Sequence, residues 1–505
     1  MNGPFADATG KSRTEFGAYE CLTGRLLVKK QMGYTMDRKK DLVKNTAVLT
    51  IGRYLPKLFT MITLPIITGA LTKAEYGTYD LISIVIAIVV PIITLQIHNA
   101  AFRFLIDCRK EPDQAKTIVS NLLMFTGITS FVAAVVFFLV CRGIPQVTRA
   151  LVSIYFWLNV LHIMIAEITR GLSYNHFYAE NAVLYSAINM LVILATVSLV
   201  GMGLNGVFLA LIAANTVATL YLALRIHLLR YFSLSSFSKP VLLEMFRYSW
   251  PMALNSLSEW VLRISDRLVI TAFLGVEANA VYVVANKIPA LVSDAQSVFT
   301  MAWQENASVA SKDHDAAAYY SEVFRAFYGL VISFTYGLVA AAPVLFALLI
   351  RGDYGAAYAQ IPILALGAFF NCLCSYQGGI YVAYKKTASV GMTTIAAAAI
   401  NLAVDVALVR QIGIYAGSVS TLISFLALFL FRMHDMKKFQ RIDYDYMTML
   451  GGILLLAVMC VLAYRRNAIL NVLNMALAAA GCVAFSGKLL KRMAMKILSK
   501  GKKKA

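Results

Sequence analysis

Acidic residues are scarce in this 505-residue chain. There are 26 Asp and Glu against 46 Lys and Arg, and charge of either sign makes up only 14% of the sequence. With 59% hydrophobic residues and a mean hydropathy of +0.69, that composition excludes a soluble protein. Cysteine is sparse too. The seven present (Cys21, Cys108, Cys141, Cys372, Cys374, Cys460 and Cys482) form no Cys-x-x-Cys pair, which argues against a structural disulfide or a zinc site. Six scattered histidines show no His-x-x-x-His spacing, so the sequence carries no visible metal chemistry. Long polar stretches are also missing. The longest loops, at about 225–247 and 303–324, leave no room for a soluble catalytic domain, so function must reside within the apolar segments. Residues 1–35 lack the apolar run of a signal peptide. They are expected to be a disordered extension or a misassigned start, because Met36 is followed directly by basic residues and the first apolar segment.

What the chain has in abundance is apolar runs of 18–25 residues, the length that crosses a ~30 Å hydrocarbon core at 1.5 Å per residue. Fourteen are expected, at about 46–70, 79–98, 118–140, 150–168, 179–201, 204–224, 248–273, 280–302, 325–350, 358–383, 388–409, 413–432, 446–464 and 468–486. The expected fold class is therefore an all-α integral membrane protein. With both ends cytoplasmic, and with Arg325 and Arg432 at the cytoplasmic ends of their spans counted with that side, 34 of the 46 Lys and Arg are cytoplasmic, 7 lie on the far side and 5 within spans. That asymmetry follows the positive-inside rule. The net charge of +20 thus reads as topology, with attraction to anionic membrane lipids secondary. The basic residues are spread over many loops rather than gathered on one face, so no nucleic-acid partner is expected.

Several spans hold charges that cost a few kcal/mol in hydrocarbon, which points to a wet path for a polar cargo. In the first span, Arg53 and Lys57 lie one turn apart on one face, and Pro56 and Pro65 invite kinks. The seventh begins at Pro251 and places Glu259, Arg263 and Arg267 at successive i,i+4 steps, with Asp266 three residues after Arg263. Two readings stand: an intrahelical ion-pair ladder that neutralises itself, or guanidinium donors left over for bidentate contact with carboxylate or phosphate. Lys287 precedes Pro289 in the eighth span. Asp405, in the eleventh, has no cation in its own helix; it reads as a partner for one of the basic residues, the preferred reading, or as a carboxylate binding a proton or sodium. Five basic residues against Glu259, Asp266 and Asp405 suggest a cationic cavity for an anionic substrate.

A weak repeat relates Leu71 and Tyr79 to Leu274 and Tyr282 at equal spacing, placing the seventh span in the role of the first. Parallel six-helix halves with a site at their interface are a transporter architecture. The expected organisation is an N-lobe at 36–225, a cytoplasmic linker at 226–247, a C-lobe at 248–433, a terminal helix pair at 434–487 and a basic cytoplasmic tail at 488–505.

Read in order, Leu64-Pro-Ile-Ile-Thr-Gly-Ala-Leu-Thr-Lys-Ala-Glu-Tyr-Gly-Thr-Tyr79, Asn99-Ala-Ala-Phe-Arg-Phe104 and Trp250-Pro-Met-Ala-Leu-Asn, followed by Ser265-Asp-Arg, Leu274-Gly, Tyr282 and Lys287-Ile-Pro, resemble the polysaccharide repeat-unit flippases (Wzx type) of the multidrug/oligosaccharidyl-lipid/polysaccharide superfamily. The resemblance implies two six-helix lobes, with pseudo-two-fold symmetry along the membrane normal, around a central cavity. It implies a bacterial inner-membrane translocator without catalytic residues, which flips a polyprenyl-diphosphate-linked oligosaccharide for O-antigen, capsule or exopolysaccharide. Arg53, Lys57, Arg263, Arg267 and Lys287 would hold the diphosphate or acidic sugars. Glu259, Asp266 and Asp405 would serve as charge partners or in coupling, and Pro56, Pro65, Pro251 and Pro289 as gating kinks. No cofactor is implied beyond coupling protons or sodium; polysaccharide polymerase and chain-length proteins are the implied protein partners. The alternatives are a drug or metabolite antiporter of the same superfamily and a lipid II flippase, the latter disfavoured because no Arg-rich signature opens the first span. A membrane glycosyltransferase or polymerase is disfavoured by the short outward loops.

Overall fold

The computed structural model describes residues 52, 54–108, 111–311 and 313–502, with side chains described for all of these but 254–263, 298, 301–302, 387, 488–490 and 492–502. Helices dominate, and no strand occurs among the described residues. They are α1 (Tyr54–Ala70), α2 (Lys73–Thr94), α3 (Ile97–Asp107), α4 (Pro112–Val140), α5 (Gln146–Gly171), α6 (Asn175–Ile193), α7 (Gly203–Arg225), α8 (Lys239–Leu274), α9 (Val276–Asn286), α10 (Ala290–Ala310), α11 (Ala316–Leu349), α12 (Gly355–Tyr358), α13 (Ile361–Ala383), α14 (Thr387–Ile412), α15 (Tyr415–Asp435), α16 (Tyr446–Tyr464) and α17 (Ala468–Lys502). Helices satisfy their backbone internally, which is what a chain buried in lipid requires.

Eleven helices among the described residues are long and apolar enough to cross a membrane, which makes this a multi-pass membrane protein. The expected count of fourteen differs at three places. The first span is described only from Tyr54, where it runs for 17 residues or fewer. The seventh lies in α8, which is long but carries Arg263, Asp266, Arg267 and Glu259. The eighth is broken: α9 ends at Asn286 and α10 resumes at Ala290, around Lys287 and Pro289. The second span also shifts, starting at Lys73 and stopping at Thr94, where Leu95 and Gln96 adopt φ of +47° and +56° before α3 resumes. The start was readable. Thr72 accepts from the Glu75 backbone N–H and the Glu75 carboxylate accepts from Thr72, a capping box that fixes α2 at Lys73. Of the four prolines, only Pro289 coincides with a helix break; α1 stays helical through Pro56 and Pro65, as α8 does through Pro251.

Helices α2–α7 pack as one group, with α5 against α3, α4 and α7, and α6 against α7. A second group is built around α13, which packs on α10, α11 and α15, while α14 packs on α15 and α8. Trp303 on α10 anchors this group, its indole donating to the Tyr376 carbonyl at 2.9 Å and stacking on the Tyr376 ring at 4.6 Å. α16 and α17 lie against α11, where Tyr328 and Tyr336 donate to the carbonyls of Met449 and Gly452 at 2.7 Å. Outward faces are apolar: Ile128, Phe131, Val132, Val135, Val136 and Leu139 of α4 are all exposed, the pattern of a surface solvated by lipid.

The corner between α1 and α2 and that between α8 and α9 share one register, since the spacing that relates Leu71 to Leu274 also relates the start of α2 to that of α9. These two equivalent helices meet. A Cβ on Gly77 of α2 would stand 2.1 Å from the Val276 carbonyl oxygen of α9, so only glycine permits this crossing.

Candidate functional site

The charged side chains described within the helices sort into three places. The innermost joins α1 to α10, where Lys57 forms an ion pair with Asp294 and Tyr54 lies 3.3 Å from Ser297. Both charged partners are partly exposed, at 37% and 42%. Counting from the α1–α2 corner, Lys57 sits roughly 20 Å along α1, about two thirds of the way across a ~30 Å bilayer core.

The second place joins α2 to α8 and α9. Arg267 Nη1 donates to Asp80 Oδ1 at 2.9 Å, and Asn279 Nδ2 donates to Asp80 Oδ2 at 3.1 Å. Asp80 is only 7% exposed. Arg267 and Asp80 each lie roughly 10 Å from the outer end of their helices. Lys287 stands at the α9–α10 break, roughly 17 Å along from the start of α9 and so near mid-membrane. It is exposed, it lies within electrostatic reach of Arg267 and Asp80, and it makes no ion pair among the described residues. At the end of the bundle that carries the α1–α2 corner the seam is closed: Lys73 pairs with Asp353 at 2.6 Å, the Thr68 hydroxyl accepts from the Arg351 N–H at 3.0 Å, and the Tyr76 ring meets Tyr354. Burial pushes the Tyr354 hydroxyl up to about 12, with the Glu75 charge adding to it, so this seam holds a neutral phenol at ordinary pH.

The third place lies inside the second helix group. Tyr282 and Thr421 each donate to Asp266 Oδ2 at 2.7 Å, Ser265 donates to Asn401 Oδ1 at 3.0 Å, and Asn401 Nδ2 reaches Ser420 Oγ at 3.3 Å. Asp405, one helical turn from Asn401, is fully buried near Asp266, and neither of its oxygens has a hydrogen-bond partner among the described residues. The arrangement gathers carboxylate, amide and hydroxyl oxygens from α8, α14 and α15, with phenol from α9.

These placements revise several expectations. Arg267 and Lys287 come together; Lys57 does not join them, because it lies toward the opposite end of α1 from the α1–α2 corner and has its own carboxylate. Asp405 meets no described cation, contrary to the preferred partner reading, because the packing of α14 on α8 turns it toward Asp266. Asp266 does not hold Arg267 either: Asp80 does. Arg53 lies outside the described residues, as do residues 1–35 and the side chains of Glu259 and Arg263. Asp80 and Asp294 were missed, and they bring the embedded carboxylates from three to five. The cationic excess therefore reduces, among described side chains at the seam, to Lys287. Asp294 had a readable signal, since a lysine deep in the first span needs a counter-charge on a facing helix. Asp80 had less, standing at the second position of the second expected span, where it read as an interfacial residue. Arg432, taken as a loop cation, is buried at 4% exposure and donates to the carbonyls of Cys374 and Val390 and to Thr393 and Thr394.

Residues 42–304 match the model of a family described as "Polysaccharide biosynthesis protein", just over half of the chain, including the first helix group and the α8–α9 corner. The chain belongs to that family. Its fold is that of the wider transporter superfamily. An inward-facing multidrug resistance MATE transporter of the MOP superfamily is similar at a TM-score of 0.65 and 13% identity, covering 78% of this chain and 98% of its own. The lipid II flippase MurJ in an inward closed conformation is similar at 0.63 and 12% identity, over 90% of this chain and 100% of its own. An outward-facing MATE transporter is similar at a TM-score of 0.51 and 15% identity, over 78% of this chain and 95% of its own. No curated protein matches the chain in sequence. The family match and the fold make this a multi-pass membrane protein of a polysaccharide-biosynthesis family, with the fold of solved membrane transporters.

Proposed function

We propose that the protein flips a polyprenyl-diphosphate-linked oligosaccharide repeat unit from the cytoplasmic to the outer face of the bacterial inner membrane, for surface polysaccharide such as O-antigen, capsule or exopolysaccharide. It acts as a translocator, without a catalytic step. Fourteen spans, with both termini cytoplasmic, form an N-lobe, a C-lobe and a terminal pair, and the lobes alternate access to a cavity between them. The observation that carries this reading is the pair Arg267 and Lys287, near mid-membrane at the seam between helix groups, with Lys287 lacking a described counter-charge. Arginine offers a planar fork and lysine a point charge, which suits a diphosphate better than a neutral or cationic cargo. Arg53, Lys57 and Arg263 would extend the contact along the path, and the prolines of α1 and α8 would let those helices bend. The polyprenyl tail stays in lipid. Coupling falls to Asp266 and Asp405, where a proton or sodium ion would satisfy the unpaired carboxylate. Polymerase and chain-length proteins would take the flipped unit onward.

The deciding experiment reconstitutes the purified protein in vesicles with a labelled lipid-linked oligosaccharide and measures its arrival in the opposite leaflet. Flipping that depends on Arg267 and Lys287 is the expected result; none, with folded protein, overturns the proposal. A second reading, export of a drug or metabolite, is supported by the MATE fold and by Asp80 and Asp294, which neutralise two of the embedded cations. It predicts a deletion strain that is drug-sensitive with normal surface polymer. A lipid II cargo, which shares the diphosphate, would show as flipping of lipid II in the same vesicles.

A further inference from the structure

We infer that Asp80 is a placeholder for the cargo's anion: it occupies on Arg267 the position a phosphate oxygen takes, and its displacement frees α2 from α8 and α9 so that the outer side opens. The inference rests on the diphosphate reading above and gives that site a regulated step. Asp80 is a positioning residue in this scheme, acting through Arg267.

Three observations carry it. First, the Asp80–Arg267 pair bridges two helix groups that must separate for anything to leave outward, with its carboxylate buried and its guanidinium partly exposed. An ion pair in such a setting gains little in stability once desolvation is counted, so its place at a moving seam suits a switch better than a strut. Second, both Asp80 oxygens are held by groups of the opposing helices, Arg267 and Asn279, as a bridging phosphate would be held. Third, the seam has a cation to spare. Lys287 lies within electrostatic reach of both charges, so an arriving anion adds charge where, among the described side chains, Asp80 is the one carboxylate beside two cations. Once Arg267 turns to the cargo, α2 loses its ion pair to α8 and is held on α9 by the Asn279 contact and by packing that includes the close Gly77–Val276 crossing.

Competition makes a quantitative claim. If wild-type protein must expel Asp80 to bind, Asp80→Asn should bind geranyl diphosphate, a soluble short-chain probe, about tenfold more tightly in detergent calorimetry. Spin labels at Ala74 and Glu277, at the first turns of α2 and α9 in a cysteine-free background, should read longer distances in Asp80→Asn without ligand. The wild type should make the same move only when the probe is added. Equal binding by the two forms would leave the diphosphate reading standing and sink the displacement. Unchanged label distances in Asp80→Asn would sink the latch. Absence of binding to either form would sink the diphosphate reading, and the displacement with it. Should Asp80→Asn fail to fold, Asn279→Ala removes one of the two holds on Asp80 and is expected to tighten binding about threefold, as one hydrogen bond suggests.

Discussion

At the scale of single residues, what distinguishes this chain is which embedded charges have partners. Lys57 and Arg267 are each neutralised across the seam, whereas Lys287 is not. Replacing Lys287 with Gln should therefore leave thermal stability in detergent unchanged or raised, since no described carboxylate is orphaned. Flipping in vesicles should fall at least about tenfold, the effect of losing one charge-assisted contact. Stability lost along with activity would count against a binding role. Asp405 makes the complementary case. Its buried, unpaired oxygens are costly as a carboxylate, so Asp405→Asn should raise stability while abolishing the response of flipping to an imposed sodium or proton gradient. A variant that still responds to both gradients would remove Asp405 from coupling. Arg432 works the other way. It donates to four neutral acceptors and ties α15 to α13 and α14, so Arg432→Ala should destabilise by about 3 kcal/mol through orphaned acceptors and a cavity. Its signature is a lowered melting temperature with no change in cargo affinity per folded molecule.

At the scale of helices, two crossings need glycine for reasons the sequence alone does not disclose. Gly379 leaves room for the Trp303 indole, whose Cδ1 would stand 2.5 Å from an added Cβ, and Gly77 lets α2 meet the α9 backbone. Gly379→Val should cost about 1–3 kcal/mol by overpacking, seen as a lower melting temperature. The elements themselves were largely legible. Lipid demands long apolar helices, and the runs from α4 to α7 and from α13 to α17 lie where apolar length puts them. The corner beginning α2 was legible as well, through Thr72 and Glu75, although the span drawn at 79 passed over it. The breaks were not. Nothing in Leu95-Gln96 marks a turn by residue type, because both hold positive φ without glycine. The partners of the charges were less legible still. Asp80 and Arg267 are 187 residues apart in sequence, and only the packing of α2 on α8 and α9 makes them a pair. Periodicity reports which residues avoid lipid but not which of them face one another.

At the scale of the whole molecule, the seam is closed at the outer side by contacts that join distant parts of the chain. The α1–α2 corner meets both the α8–α9 corner and residues 351–354, through Gly77 on Val276, Lys73 on Asp353 and Thr68 on Arg351. Gly352, at φ +77°, lies against the Thr68 carbonyl oxygen, where a Cβ would come within 2.6 Å. A carrier that alternates must break this set once per cycle. Holding it shut is therefore a clean test of alternation. Lys73→Cys with Asp353→Cys, in a background without other cysteines, places two thiols where an exposed ion pair of small energetic worth now stands. Joining them with a short bifunctional thiol reagent should stop flipping in vesicles while leaving diphosphate binding from the cytoplasmic side intact, and reduction of the linker should restore transport. Transport that continues at full rate through the linked protein would mean that the outer seam never opens, and that cargo passes by some path other than the space between the two helix groups.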